Sequence, residues 1–360
     1  MERRWLSVSA FSALAIIGLA ARLLLAWGTR GGVEIGYYST VARGISSGEG
    51  FYGTGMNNYA PIWAGVILLV ERVSRATGAP FGSLMRTLLT GVDLVSAAVL
   101  WRIAAGLGRD PWKIAALFLV NPVSIWTTGF QGQFDNLSLL FLLIAILATP
   151  RRDEDGGAGW PAVASLALSI AAKQVTALHP ILWRKRVRHP AMVVVPWVAT
   201  ALLFLPFLGE WRAIRDHVVR YSGVPRSYGL SELVLYDDHF SLPVGVLCLA
   251  AGLLTAWRLS REPDLPVACL TLFLVLLFFA PGFGTQYGVW PLTVGVLSGG
   301  AGYFLFTATT MAWTLSSHFA VPGSGRWMGH LVWLSVGFWL LREVRLLAGP
   351  GARAAVEKKA

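Results

Sequence analysis

The chain alternates apolar runs with short polar links. The runs fall at about 6–27, 84–105, 112–129, 135–149, 191–208, 241–258, 264–280, 287–298, 301–316 and 327–346. Many approach the roughly 18–20 residues that cross a hydrocarbon core of ~30 Å as a helix. Two stretches break the pattern. Residues 59–75 are apolar but short and carry Glu71, Arg72 and Arg75. That pattern predicts an amphipathic helix lying at the membrane surface rather than a span. Residues 160–183 offer one span's length between two basic flanks, Arg151-Arg152 and WRKRVRHP (183–190). A bent pair of short helices keeps both flanks on one side and holds Lys173 near the turn. Broken helices are tolerated at membrane depth where protein or a cavity surrounds them.

Charge orients these elements. The basic residues sit mostly in the short links, which is the positive-inside pattern of a polytopic inner-membrane protein. Glu2, Arg3 and Arg4 precede the first run, and Arg353, Lys358 and Lys359 follow the last, so both ends are expected inside. With 59–75 interfacial, Arg102, Arg109 and Arg151-Arg152 also face inward. With 59–75 as a span they would face outward, and the charge rule favours the first arrangement. The expected fold is an all-α polytopic membrane protein of about twelve membrane segments, with an interfacial helix in the first outer loop. No internal repeat and no soluble domain is visible.

Composition agrees with this class. Hydrophobic residues make up 55% of the chain and charged residues 14%, a balance that would make a soluble domain aggregate. The net charge of +11 is explained by the links, so it does not point to nucleic acid. Cys248 and Cys269 both lie in apolar runs and imply no disulfide framework. The opening MERRWLSVSAFSALAIIGLAARLLLAW has the basic start of a signal peptide. Its apolar stretch is too long, and Arg22 interrupts the cleavage zone, so it reads as a retained first span. The preference for Arg over Lys, with frequent Ala and Gly, fits a GC-rich bacterial genome, hence a bacterial inner membrane.

Ionisable groups at membrane depth or at its lip are costly and therefore candidate functional sites. Glu34 lies in GGVEIGYY, where the glycines predict a flexible backbone and Tyr37 and its neighbour suit the interface. It is either a general base at the lip or a solvated loop acid. Asp135 opens the run in GFQGQFDNLSLLF. Capping a helix N-terminus, which is worth ~0.3–1 kcal/mol, explains it but not the neighbouring Gln131 and Gln133. Lys173 is the only lysine within an apolar stretch, and it either serves a site or snorkels to headgroups. Asp93 is expected to pair with Arg86 or Arg102 as a structural group. The outer segment 209–240 holds Arg212, Arg215, Arg220, Arg226 and His239. Its arginines suit a lipid phosphate through bidentate bonds, or anionic headgroups generally. No zinc spacing, Walker loop or dinucleotide fingerprint is present.

The order of these motifs resembles the GT-C membrane glycosyltransferases. It is most similar to the GPI mannosyltransferase I catalytic subunit and to bacterial relatives of GPI mannosyltransferase II. The likeness runs through residues 30–185: GGVEIGYYSTVARGISSGEGFYGTGMNNYAPIW, TGVDLVSAAVLW, FLVNP, GFQGQFDNLSLLF and LSIAAKQVTALHP. GTQYGVWP (284–291) and, more faintly, LYDDHFS (235–241) extend it. Residues 1–185 then correspond to the catalytic module and 186–360 to a variable transmembrane module of one integral membrane domain.

The resemblance implies a polyprenyl-phosphate-hexose donor, most often of mannose, a glycolipid or glycan acceptor, and an active site at the outer face. Glu34 stands where the family places its catalytic acid. Here it is a lone Glu rather than an Asp-x-Asp, so the motif leaves a divalent cation open without supporting one, and it fixes no cofactor. Asp135 matches the second acidic position and Lys173 the family's lysine. Tyr37, Tyr59, Gln131, Gln133, Gln286 and Tyr287 would line the substrate. Inverting transfer needs a base for the acceptor hydroxyl. The leaving lipid phosphate needs no general acid, unlike the glycosidase case, but is stabilised by cations. Lys173, Arg212, Arg215, Arg220, Arg226 and His239 are the candidates. The competing class is a secondary transporter or lipid-carrier flippase, although transporters usually show internal repeats and midplane sites.

Overall fold

A computed structural model describes residues 2–150, 157–220, 228–229, 241–320 and 324–348. Among the described residues the chain is helical throughout, with one isolated bridge between Ala158 and Val187 and no sheet. It divides into two compact units, Met1–Tyr221 and Ser222–Ala360.

The first unit begins with α1 (Glu2–Gly28), α2 (Val33–Ser47), α3 (Ile62–Thr77) and α4 (Phe81–Gly106). Ser9–Gly28 and Phe81–Gly106 are each long and apolar enough to cross a membrane. The run 112–129 is α5 (Pro111–Val120), α6 (Pro122–Ile125) and a π-helical turn, Trp126–Gln131, bent by 51° at Asn121-Pro122. Asn121 causes the bend locally, because its side chain accepts from the backbone N–H groups of Val123 and Ser124 and starts a new helix. Asp110 caps α5 in the same way, with Pro111 in the first position. Next come α7 (Asp135–Leu147) and α8 (Trp160–Ala172). The run 191–208 is a second bent pair, α9 (Val195–Leu202) and Leu205–Val219, at 59°. Pro196 and Pro206 interrupt it. Among the described residues, counting each bent pair as one span gives up to four spans, and four shorter apolar helices accompany them. These apolar helices are compatible with a helical membrane protein.

Polar groups buried between the helices carry the packing of this unit. Arg22, fully buried on α1, donates to Asp93 at 2.8 Å, to Ser124 Oγ at 2.8 Å, and to the carbonyls of Gly18 and Leu119. Asp93 therefore pairs with Arg22 across two helices, and not with Arg86 or Arg102. Arg86 turns the other way, to the carbonyls of Gly82, Leu25, Thr29 and Gly129 and to the Thr29 hydroxyl. Buried charges are costly unless compensated; Arg22 is paired with Asp93, whereas Arg86 is held by neutral oxygens alone among its described contacts. Gly129 is fixed by this contact, since a Cβ there would stand 2.9 Å from Arg22 Cα.

The second unit comprises α11 (Ser241–Leu259), α12 (Leu265–Phe278), α13 (Val289–Gly295), α14 (Gly300–His318) and α15 (Ser324–Ala348), with the four-residue α10 (Trp211–Ile214) closing the first. Trp339 of α15 is fully buried, and a Cβ at Gly295 or Gly302 would collide with its ring. Its indole N–H donates to Glu343 one turn on, at 3.1 Å.

Two local expectations change. The Gly-rich segment around Glu34 is not a loose loop, because Glu34 lies in the first turn of α2, capped by Gly32 and ended by Gly48 at φ +87. The stretch 160–183 does break at Lys173, which is extended at φ −157, ψ 133, but its second half is 3₁₀ turns rather than a helix. The break is held from α7. The Ser138 hydroxyl donates to the Ser169 carbonyl at 2.8 Å, and the Ser169 hydroxyl donates to the Ser138 carbonyl at 2.7 Å. Most of the region 59–75 lies in α3, which buries Trp63, Ala64, Ile67 and Val70 and exposes Leu69 and Val73.

Candidate functional site

Four segments of the first unit converge on a group of polar side chains. Glu34 comes from α2, Gln133 from the link before α7, Asp135 from the first position of α7, Lys173 from the break after α8, and Tyr59 from the link before α3. The motif GFQGQFD folds to serve this group. Gly132 adopts φ +73, which closes the π-helical turn and redirects the chain into α7. A Cβ there would overlap Ile35 of α2, so the glycine also permits close approach of the Glu34 helix. The backbone N–H of Gly32 donates to the Phe130 carbonyl at 3.0 Å, tying the start of α2 to the same turn.

Lys173 Nζ donates to Asp135 Oδ2 at 2.6 Å. The pair is shielded from solvent, with side-chain exposures of 9% and 0%. The ammonium also lies 5.3 Å from the Tyr59 ring centroid and 5.1 Å from that of Phe134, within the range where an aromatic face attracts a cation. Phe134 stacks on Trp63 at 3.9 Å, and Tyr59 meets Phe134 edge-on at 4.5 Å. Lys173 is thus a buried, caged cation, not a snorkelling one. Asp135 takes the first helical position of α7, where the helix field favours a carboxylate, and turns it on Lys173.

Glu34 is half-buried and accepts from Gln133 Nε2 at 2.9 Å. Burial pushes its carboxyl above the ordinary value of 4.5. Hydrogen bonds from its own backbone and Gln133, and the charge of Lys173, act in the opposite direction, while Asp135 adds to the rise. The buried Tyr38 hydroxyl stands 3.5 Å from Gln133 Oε1, and burial followed by its acidic and phenolic neighbours holds it well above the usual phenol range. It therefore remains a neutral donor. A carboxyl with a raised pKa at a solvent lip is suited to take a proton.

The other expected residues divide. Gln131 ends the π-helical turn beside Gly32. Tyr37 is 46% exposed on α2. Arg215 and Arg220 pair with Asp216, at 2.8 and 3.4 Å, rather than approaching Lys173, and Arg212 is exposed. Gln286 and Tyr287 belong to the second unit, in a 3₁₀ turn where Tyr287 stacks on Trp290 at 4.2 Å. Arg226 and His239 lie outside the described residues. No group of three metal-ligating side chains occurs among the described residues. Trp63, Phe134 and Tyr38 were missed in the sequence. Their signal was their position inside NYAPIW, GFQGQFD and GYY, next to residues already singled out.

No protein-family model matches this chain, and no curated protein is similar to it.

Proposed function

We propose that the chain is a membrane glycosyltransferase that moves a hexose from a polyprenyl-phosphate donor to a lipid- or glycan-linked acceptor, with inversion. The observation that carries this reading is the convergence of Glu34, Asp135 and Lys173. They come from three separate stretches of sequence, and they meet around Gln133 and Phe134. Glu34 is the base for the acceptor hydroxyl. Lys173, held by Asp135, supports the departing phosphate. Its ammonium donates to Asp135 and brings a positive charge to the site. The test is incubation of the purified protein with radiolabelled polyprenyl-phosphate-mannose and a native lipid extract. A labelled lipid or glycan product is expected. Recovery of the donor intact with every native extract overturns the reading.

The same proposal includes a GT-C-like bundle of about twelve membrane segments, an interfacial α3, and a site facing the periplasmic side of a bacterial inner membrane. The high amphipathicity of α3 and the basic links support it. A single cysteine at position 109, in a chain with Cys248 and Cys269 replaced, is expected to react only with reagents that reach the cytoplasmic side. Reaction from outside intact cells reverses the topology and removes α3 from the interface.

A further inference from the structure

The link between α2 and α3 is clasped at three points, and all three bear on Tyr59. The first is an anion nest. Gly50 adopts φ +84, and the next three backbone N–H groups converge on the Glu210 carboxylate. Phe51 N–H donates to Oε1 at 3.3 Å, and Tyr52 and Gly53 N–H donate to Oε2 at 2.6 and 3.0 Å. Successive amides turned to one side in this way favour a negative charge. A Cβ at Gly50 would stand 2.5 Å from the carboxyl, so the glycine is needed for space as well as conformation. The apolar surroundings reinforce the grip, since Tyr52 packs against Phe204 and Phe207, which lie in the stretch just before Glu210.

The second point is the Tyr52 hydroxyl, which donates to the Tyr59 carbonyl at 2.8 Å. Burial, then the charge of Glu210, pushes this phenol far up, so it is a donor at every working pH. The third comes from the opposite side. Gln174 Nε2, one residue past Lys173, donates to the Asn58 carbonyl at 2.8 Å. The peptide groups before and after Tyr59 are therefore both fixed, one from Tyr52 and one from Gln174. The ring between them covers Lys173.

We propose that Glu210, Tyr52 and Gln174 are positioning residues that hold Tyr59 over the Asp135–Lys173 pair. Glu210 anchors the link, Tyr52 passes that anchor to the backbone of Tyr59, and Gln174 locks the register to the lysine it adjoins. The ring keeps Lys173 dry and directed at Asp135. The consequence for donor use rests on the transfer reading above, but the geometry does not.

The test reads Lys173 directly. The purified full chain is treated with a membrane-permeant amine-acylating reagent, and modification of each lysine is followed by peptide mass spectrometry. Lys113 and Lys185, both exposed, serve as internal controls. Tyr52→Phe removes one oxygen from an intact aromatic core, and is expected to raise Lys173 modification about 2- to 10-fold, the population shift of one lost hydrogen bond. Gln174→Leu is expected to act in the same range. Glu210→Ala is expected to do so too, and adding Tyr52→Phe to it gives little more, because the two act in series. Thr77→Val, at the exposed end of α3, leaves the rate unchanged. Wild-type Lys173 reactivity in Tyr52→Phe with a wild-type melting curve overturns the proposal. So does a rise shared equally by Lys113 and Lys185, which reports general loosening. Because acylation requires no turnover, the result stands apart from whether sugar is transferred. If transfer is observed, the same variants are expected to raise the KM for donor more than they lower kcat.

Discussion

Glu34→Gln is expected to leave the protein folded and to lower sugar transfer by ~10²–10⁴-fold, the usual contribution of a positioned general base. The amide is nearly isosteric, and its oxygen still accepts from Gln133, whose Nε2 lies 2.9 Å from Glu34 Oε1. Donor binding, read as KM, should therefore change little, and the loss should fall on kcat. The raised carboxyl also has a pH signature with a definite sign. Burial lifts the folded value above 4.5, so between 4.5 and the lifted value the folded chain holds a proton that the unfolded chain has released. Stability contributed by Glu34 is then full below pH 4.5 and declines as pH rises through that window. In Glu34→Gln this decline disappears, so the melting temperature of the wild type relative to the variant should fall with rising pH. Activity runs the other way, because a base must be ionised. The acidic limb of the wild-type rate should lie above the ordinary glutamate range. Equal transfer rates in wild type and variant would remove Glu34 from the mechanism.

What the sequence made legible follows from how each residue is constrained. Asp135 and Lys173 break an apolar pattern, so their cost made them visible before any contact was known. Their pairing was not visible in the pattern, and the 2.6 Å bond supplies it. The break at Lys173 was legible because two basic flanks cannot lie on opposite sides of one crossing. The partner of Asp93 was not legible. Arg86 and Arg102 are close to it in sequence, whereas Arg22 is 71 residues away and meets it only because α1 packs on α4. Helix-to-helix registers of this kind leave no trace in spacing. Glu210 had no signal either, since its partners are backbone amides, which no side-chain motif marks. Trp63 and Phe134 read as ordinary apolar residues until their rings were seen to stack at the lysine. The Glu34 segment was misread as flexible because its glycines suggested freedom. Gly32 and Gly48 instead mark the two ends of α2.

Lys173→Met separates the two duties of the buried pair. Asp135 is fully buried, and removing its partner leaves an unpaired charge that costs about 3–5 kcal/mol. The single variant is expected to melt well below the wild type, or to lose a cooperative transition, and its lost activity then says nothing about chemistry. The double variant Asp135→Asn, Lys173→Met removes both charges at nearly constant volume. Replacing a buried pair by neutral groups is often neutral or stabilising, so the double variant is expected to recover most of the stability lost in the single one. Such strong non-additivity is the mark of groups in direct contact. Transfer should remain lost, because no cation then faces the departing phosphate. The measurements are a thermal melt in detergent and the donor assay on the same preparations. Recovery of stability together with wild-type transfer would show the pair to be a structural lock alone. An unshifted melt in Lys173→Met would show that Asp135 does not need it. The Tyr59 and Phe134 rings sharpen the contrast. Both faces stand about equally far from the ammonium, so methionine, which packs well on aromatic edges, fills their space and only the charge is missing.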